Sequence, residues 1–268
     1  VTTDLPGLIK AASGATYLVI AQAFPYAVWE KSFKATVAHC IAAAQTTGST
    51  IIYYGRAQRY GLVSPITETT EPKPTSLQGR VLDETEKILE KSPVSSIIIH
   101  HSYPFGVHGG DGLLDKNFMG IPQNKSKSLF QSKQRFDWIG NDSTKIQVTY
   151  LPDLAAFTQL LVTKQFPQAG QCLTINFAGL TLENINELGS LYCKIAQVPY
   201  ELNLYSRNKL LAAAFMAPEA KFAIDSYDSF THEILLDSSL QEQVCPFELT
   251  PLETALSAIY AANTAAVH

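Results

Sequence analysis

The sequence predicts an α/β protein built on a doubly wound, mostly parallel sheet, with a smaller C-terminal lobe. Three observations predict it. Apolar runs of strand length alternate with amphipathic stretches of helix length, the pattern of crossover units with helices on both faces of a sheet. One of the runs, ATYLVIAQA (Ala15 to Ala23), is almost continuously apolar, as a strand covered on both faces tends to be. The 268 residues, 46% hydrophobic and 16% charged, are enough to bury one or two closely packed cores.

Taken in order, the first run is a strand, and the spacing of Val28, Phe33, Val37, Cys40 and Ile41 predicts a helix over Tyr26 to Thr47 that stops at Gly48. STIIYYG (Ser49 to Gly55) is β-branched and aromatic and reads as the next strand, followed by a Pro-, Thr- and Glu-rich loop to Thr75. Ser76 caps a helix through Lys91 that carries Val81, Leu82, Ile88 and Leu89, and Pro93 closes it before the strand at Val94. From Tyr103 to Asp142 the apolar residues scatter, so this stretch is expected to leave the sheet and build a lid or substrate lobe. Ile146 to Val162 reads as a strand into a helix that begins at Pro152. A strand at Cys172 to Leu180, a helix capped by Thr181 and running to Ala196, a short strand at Val198 to Tyr205 and a last helix at Pro251 to Ala262 complete the chain. The main domain is therefore assigned to 1–105 and 146–180, and the smaller lobe to 106–145 and 181–268.

Charge excludes some partners. With 20 Lys and Arg against 24 Asp and Glu, the net charge is -4 and no basic cluster is available to neutralise a run of phosphates, so no nucleic-acid partner is expected. The longest apolar stretches, such as Leu210 to Ala217, are far short of the roughly 20 residues a bilayer span requires, and no leader pattern opens the chain. The reading is a soluble, cytoplasmic protein without a membrane partner. Cys40, Cys172, Cys193 and Cys245 are widely spaced with no CxxC pair and no histidine at ligand spacing, which predicts buried free thiols and no metal.

Four segments, in this order, resemble one family. ATYLVIAQAFPYAVWEKSF with HCIAAAQTTG, followed by STIIYYGRAQRYG, is similar to the fourth and fifth strand units of the extended short-chain dehydrogenase/reductases, the NAD-dependent epimerases and dehydratases. IIIHHSYPFGVHG resembles the family's strand and loop beside the nicotinamide, VTYLPDLAAFTQLLV its Asp-containing strand-to-helix step, and LDSSLQEQ with FELTPLETALSAIY its closing pattern. The resemblance implies a Rossmann-like fold, NAD or NADP as cofactor and a small-molecule substrate. It also implies a glycine-rich pyrophosphate turn, which this sequence does not contain. VTTDLPGLIKAASG looks like the end of the family's third strand and the short helix after it, so on the order of 50 residues, two strands and two helices, are expected upstream. Residues 1–268 by themselves are then expected to aggregate through an uncovered strand edge, with a homodimer as the expected partner.

The family's catalytic Ser, Tyr and Lys fall, by the same resemblance, on Arg56, Gln78 and Leu82. Gln does not ionise near neutral pH and Leu offers no donor. Tyr-x-x-x-Lys does not occur between Gly61 and Lys91. Candidate catalytic groups are therefore Arg56, Gln78 and His101. Candidate cofactor-binding residues lie at the carboxyl ends of the strands: Ala21, Gln22, Ala23, Phe24, Tyr54, Ser102, Tyr103 and Pro104. Gln22 and Phe24 either flank the nucleotide or are structural loop residues. Arg56 either pairs with an anionic substrate or cofactor phosphate through its planar fork or is an ordinary solvated arginine.

His100 and His101 alternate at a strand end, so one faces the covering helices and the other the cleft; a structural role is favoured for either. His108 and Asp111 in VHGGDG belong to a surface turn or a lid, and without a GxSxG elbow the HGGDG segment does not signal acyl transfer. Asp153 stabilises a helix start rather than a reaction. Phe118, Phe130, Phe136 and Trp138 are expected as lobe core. Two functions stay open: an atypical NAD(P)-dependent oxidoreductase or epimerase whose proton-transfer groups have moved, and a non-catalytic sensor or interaction protein that keeps the fold as scaffold.

Overall fold

A computed structural model describes residues 4–22, 24, 28–107, 113–119, 135–164, 170–214 and 219–265. The chain divides into two compact units, Val1–His101 with Thr158–Phe177 and Leu236–Pro246, and Ser102–Phe157 with Ala178–Leu235 and Phe247–His268. No helix among the described residues is long and apolar enough to cross a membrane.

The first unit opens with α1 (Leu5–Ala12), whose first turn is capped by the Asp4 carboxylate accepting from the Gly7 amide at 3.1 Å. There follow β1 (Tyr17–Ile20), α2 (Trp29–Thr47), β2 (Thr50–Arg56), α3 (Leu77–Glu90) and β3 (Ser96–His101), and later β7 (Cys172–Phe177). The four strands form one fully parallel sheet in the order β1-β2-β3-β7. The α/β fold with a parallel sheet is thus present as expected. Strand and helix ends shift by a few residues from the sequence expectation; β1, for example, stops at Ile20, where its pairing with Tyr53 ends.

Both faces of the sheet are covered within this unit. On one, Val37, Cys40 and Ala44 of α2 and Leu89 of α3 pack on Ile20, Ile51, Tyr53 and Ile98. On the other, the Tyr54 hydroxyl bonds the Thr158 hydroxyl at 3.0 Å and the Tyr17 hydroxyl donates to the Val162 carbonyl at 3.2 Å, both on α5 (Leu151–Thr163). Gly48 ends α2 in the left-handed conformation at φ 75°, the stop its position predicts. Ser76 caps α3 by accepting from the Gly79 amide at 3.0 Å. Asn176 on β7 closes the unit: its Nδ2 donates to the Ile66 and Asp237 carbonyls at 2.9 and 3.3 Å, and its amide donates to Glu68 Oε1 at 2.8 Å. Ile66 and Leu236 form a parallel bridge beside it.

The second unit contains β4 (Tyr103–Phe105), α4 (Leu113–Met119), β5 (Arg135–Ile139), β6 (Ile146–Tyr150), β8 (Leu180–Leu182), α6 (Ile185–Ile195), β9 (Glu201–Tyr205), α7 (Arg207–Ala213), α8 (Glu219–Asp225) and α10 (Leu252–Ala265). β4, β6 and β8 make a mixed three-stranded sheet, while β5 and β9 pair in parallel. Phe105, Phe118, Phe136, Trp138, Tyr192 and Leu256 share its core, so three of the lobe aromatics are core residues; Phe130 lies outside the described residues. Thr181 does not cap α6: it sits in β8 opposite Gln147, and the Asn184 side chain accepts from the Asn186 amide at 2.9 Å instead. A threonine three residues early is drawn into the sheet because β6 offers it a ladder partner.

Candidate functional site

In an open parallel sheet the loops that meet at the carboxyl ends of the strands form the end that faces ligands. In the first unit those ends are Ala21 and Gln22 after β1, Arg56 closing β2 and His101 closing β3. Alternation and the register pairs Tyr54↔Ile99 and Arg56↔His101 put Tyr54, Arg56 and His101 on one face; Tyr53, Gly55 and His100 occupy the other. Ala21 and Gln22 are exposed, and half-buried Phe24 meets Phe33 edge-on at 5.0 Å between ring centroids. Ala23, His108 and Asp111 lie outside the described residues.

Arg56 is half-buried with its guanidinium carbon 6.0 Å from the centre of the Trp29 ring. Desolvation by burial lowers its pKa, which still leaves an arginine charged. Tyr54 presents its ring edge-on toward His101, at 6.4 Å between centroids. Gln78, on the first turn of α3, is only 1% exposed. Leu82, one turn on, is equally buried and packs with Trp29, Phe33 and Val81.

The opposite face holds a charge cluster that the sequence reading did not single out. Arg59, 5% exposed, donates through Nε to Asp83 Oδ1 at 3.2 Å and through Nη1 to Glu90 Oε1 at 2.8 Å and to Glu86 Oε2. His100 Nε2 meets the same Glu86 oxygen at 2.7 Å, and the Tyr60 hydroxyl lies 3.3 Å from His100 Nδ1. Because a carboxylate only accepts, His100 Nε2–H donates to Glu86, and the Tyr60 hydroxyl is the partner of the other ring nitrogen. Burial alone would lower the Arg59 pKa, but Glu86 and Glu90 outweigh it and hold the guanidinium above its ordinary value. Burial, reinforced by Glu86, raises the Tyr60 phenol. A Cβ on Gly55 would stand 2.6 Å from both Glu86 Oε1 and His100 Cδ2, so only glycine lets α3 bring this cluster against β2. The signal was present in the sequence: Asp83, Glu86 and Glu90, at helical spacing, put three carboxylates on one stripe of α3.

In the second unit, Ser102 lies 3.4 Å from the Thr149 hydroxyl, and Pro104 and Tyr103 sit in β4. The Tyr103 hydroxyl donates to the Ser229 carbonyl at 2.9 Å and its ring stacks on Phe230, while burial raises its pKa. Asp153 accepts from the Thr250 amide and hydroxyl at 2.9 and 2.6 Å, fastening the start of α5 to the segment before α10, which is a structural role.

Asp115 on α4 is the group in this unit whose burial has a clear consequence for stability. Its Oδ1 accepts from the Gly106 amide at 3.1 Å, whereas Oδ2 is buried with no partner among the described residues. Burial, opposed by the Gly106 amide, pushes its pKa from 3.8 to about 6. A folded-state value above the unfolded one means the stabilising form is the protonated acid. The contribution is complete below pH ~4 and is lost as pH rises through about 6, by up to roughly 3 kcal/mol. Asp115→Asn keeps the acceptor without the charge. It is expected to raise the melting temperature at pH 7.5, to leave it nearly unchanged at pH 4 and to flatten stability between them; an unaltered pH profile would contradict this.

The geometry of the first unit defines an open, parallel, doubly wound α/β sheet of the Rossmann type. Comparison with solved structures agrees. RMD from Pseudomonas aeruginosa complexed with NADPH superposes with a TM-score of 0.74 at 15% identity, over 99% of this chain and 87% of that one. UDP-glucose 4-epimerase from Bifidobacterium longum in complex with NAD+ and UDP gives 0.74 at 14% identity, over 98% and 81%. UDP-glucuronic acid 4-epimerase from Bacillus cereus in complex with NAD gives 0.71 at 15% identity, over 99% and 80%. No family model and no curated protein matches the sequence. The chain therefore has the fold of these UDP-sugar 4-epimerases.

Proposed function

We propose that the chain is an atypical NAD(P)-dependent oxidoreductase or epimerase-like protein acting on a small molecule, with a sugar nucleotide the first substrate class to test. The observation that supports it is the fold itself, shared over nearly the whole chain with enzymes seen holding NAD, NADP in its reduced form, or UDP. When bound, the nicotinamide would supply a hydride acceptor or donor. The strand-end residues fit a nucleotide in one respect: Ala21, Gln22 and Phe24 offer exposed backbone and an aromatic edge beyond β1. They do not fit ordinary proton transfer, because buried Gln78 and Leu82 neither ionise nor carry a lysine's charge. Any proton is therefore moved by groups elsewhere at the strand ends, where Arg56 and His101 bind and orient. The net charge argues against a nucleic-acid partner; we place the protein in the cytoplasm and expect a homodimer.

Burial of Gln78 and Leu82 also favours a second reading, a non-catalytic sensor or interaction protein that keeps the fold as scaffold. Titration of the full-length protein with NADH or NADPH, read by energy transfer from Trp29 and Trp138, separates them. Saturable transfer with hydride exchange onto an added UDP-sugar supports the enzyme, saturable transfer without turnover supports the sensor, and no transfer at millimolar cofactor removes the enzyme and leaves the interaction scaffold.

A further inference from the structure

Two arginines three residues apart meet opposite fates at the end of β2. Arg59 is enclosed by Asp83, Glu86 and Glu90. Arg56 is half-buried, yet among the described residues no carboxylate pairs with it, and the contact the structure gives its guanidinium is the face of Trp29. A guanidinium withdrawn from water without a counter-ion is costly, and carboxylates are abundant next door on α3. The ring of Trp29, itself fixed by Phe33 at 4.7 Å, holds the planar fork in one orientation instead of neutralising it. His101 is the register partner of Arg56 on β3, about one strand spacing away, and Tyr54 stands on the same face of β2 with its hydroxyl engaged by Thr158.

We propose that Arg56, oriented by Trp29 and flanked by His101, is the binding site for an oxyanion of the ligand, a carboxylate or a phosphate presented to the carboxyl end of β2. The ligand supplies the counter-ion that the described residues do not, and the guanidinium takes two of its oxygens side by side. The inference rests on the reading of the strand ends as the ligand-facing end, and it adds an anionic group as a requirement on the ligand.

The test uses the full-length protein at constant ionic strength, titrated separately with inorganic phosphate and with acetate, followed by melting temperature and tryptophan emission. A saturable rise in melting temperature is expected with one of them; phosphate identifies a nucleotide or sugar phosphate as the source, acetate a substrate carboxylate. Arg56→Gln is expected to weaken that affinity at least tenfold, and Arg56→Lys to retain part of it, since a point charge survives without the fork. No saturable response to either anion, or the same response in the Arg56→Gln and Arg56→Lys proteins, would overturn the proposal. NADH energy transfer is measured on the same samples: cofactor binding without anion binding defeats this inference alone, and anion binding without cofactor binding defeats only the reading above.

Discussion

Replacing Glu86 by alanine is expected to cost roughly 3–5 kcal/mol of unfolding free energy, measured by urea denaturation at neutral pH. Glu86 has no exposed surface and binds both Arg59 and His100 through one oxygen. Its removal leaves a buried guanidinium short of one anion, an imidazole N–H with no acceptor and a void behind Gly55. Glu86→Gln keeps the volume and the acceptor for His100 but turns an amide N–H toward Arg59 or His100, so an intermediate loss is expected. A change below about 1 kcal/mol in Glu86→Ala would mean that Asp83 and Glu90 alone satisfy Arg59.

Gly61→Ala is expected to lose about 4 kcal/mol, read by the same denaturation. Gly61 lies at φ 73° and ψ -133°, a region that residues with a Cβ hardly enter. An added methyl would also run into the Lys73 carbonyl oxygen, which belongs to the backbone and has no rotamer to escape by. Gly170→Ala serves as the comparison: its φ is 75°, but the nearest atom to a Cβ, the Pro93 carbonyl oxygen, is 3.7 Å away. There only the conformational penalty of roughly 1–2 kcal/mol applies. Equal losses at the two positions would show that the Lys73 contact yields.

Much of the architecture was legible because burial on both faces writes itself plainly into a sequence. The runs that became β2 and β3 are built on short β-branched and aromatic stretches, Ile51 to Tyr54 and Ile97 to Ile99, and Ser76 and Gly48 mark helix ends by chemistry that needs no partner beyond the helix itself. Elements that depend on distant partners were not legible. β5 and β8 exist through pairing with β9 and β6, so Arg135 to Ile139 read as part of an irregular lobe and Thr181 looked like a cap when its neighbour in space was Gln147. The short helices α7 and α8 have too few residues for a period to show.

At the candidate site the sequence identified strand-end residues but not their company. Tyr54, Arg56 and His101 do share one face of one sheet, whereas the Tyr103 hydroxyl is committed to Ser229 in the second unit. The cluster of Arg59, Glu86 and His100 escaped notice because its members come from a turn, a helix and a strand whose meeting is fixed only by the register of β2 on β3 and the absence of a side chain at Gly55.

The ties made by Asn176 bear on how the molecule is assembled during translation. Ile66 and Glu68 are fastened to β7, and the bridge between Ile66 and Leu236 joins segments far apart in the chain. A ribosome delivers the first three strands of the sheet long before it delivers β7 or the stretch from Leu236 to Pro246. The nascent first unit must therefore wait, with the β7 side of β3 unpaired until Ser102–Phe157 has emerged and the bridge to Ile66 unmade until Ala178–Leu235 has followed.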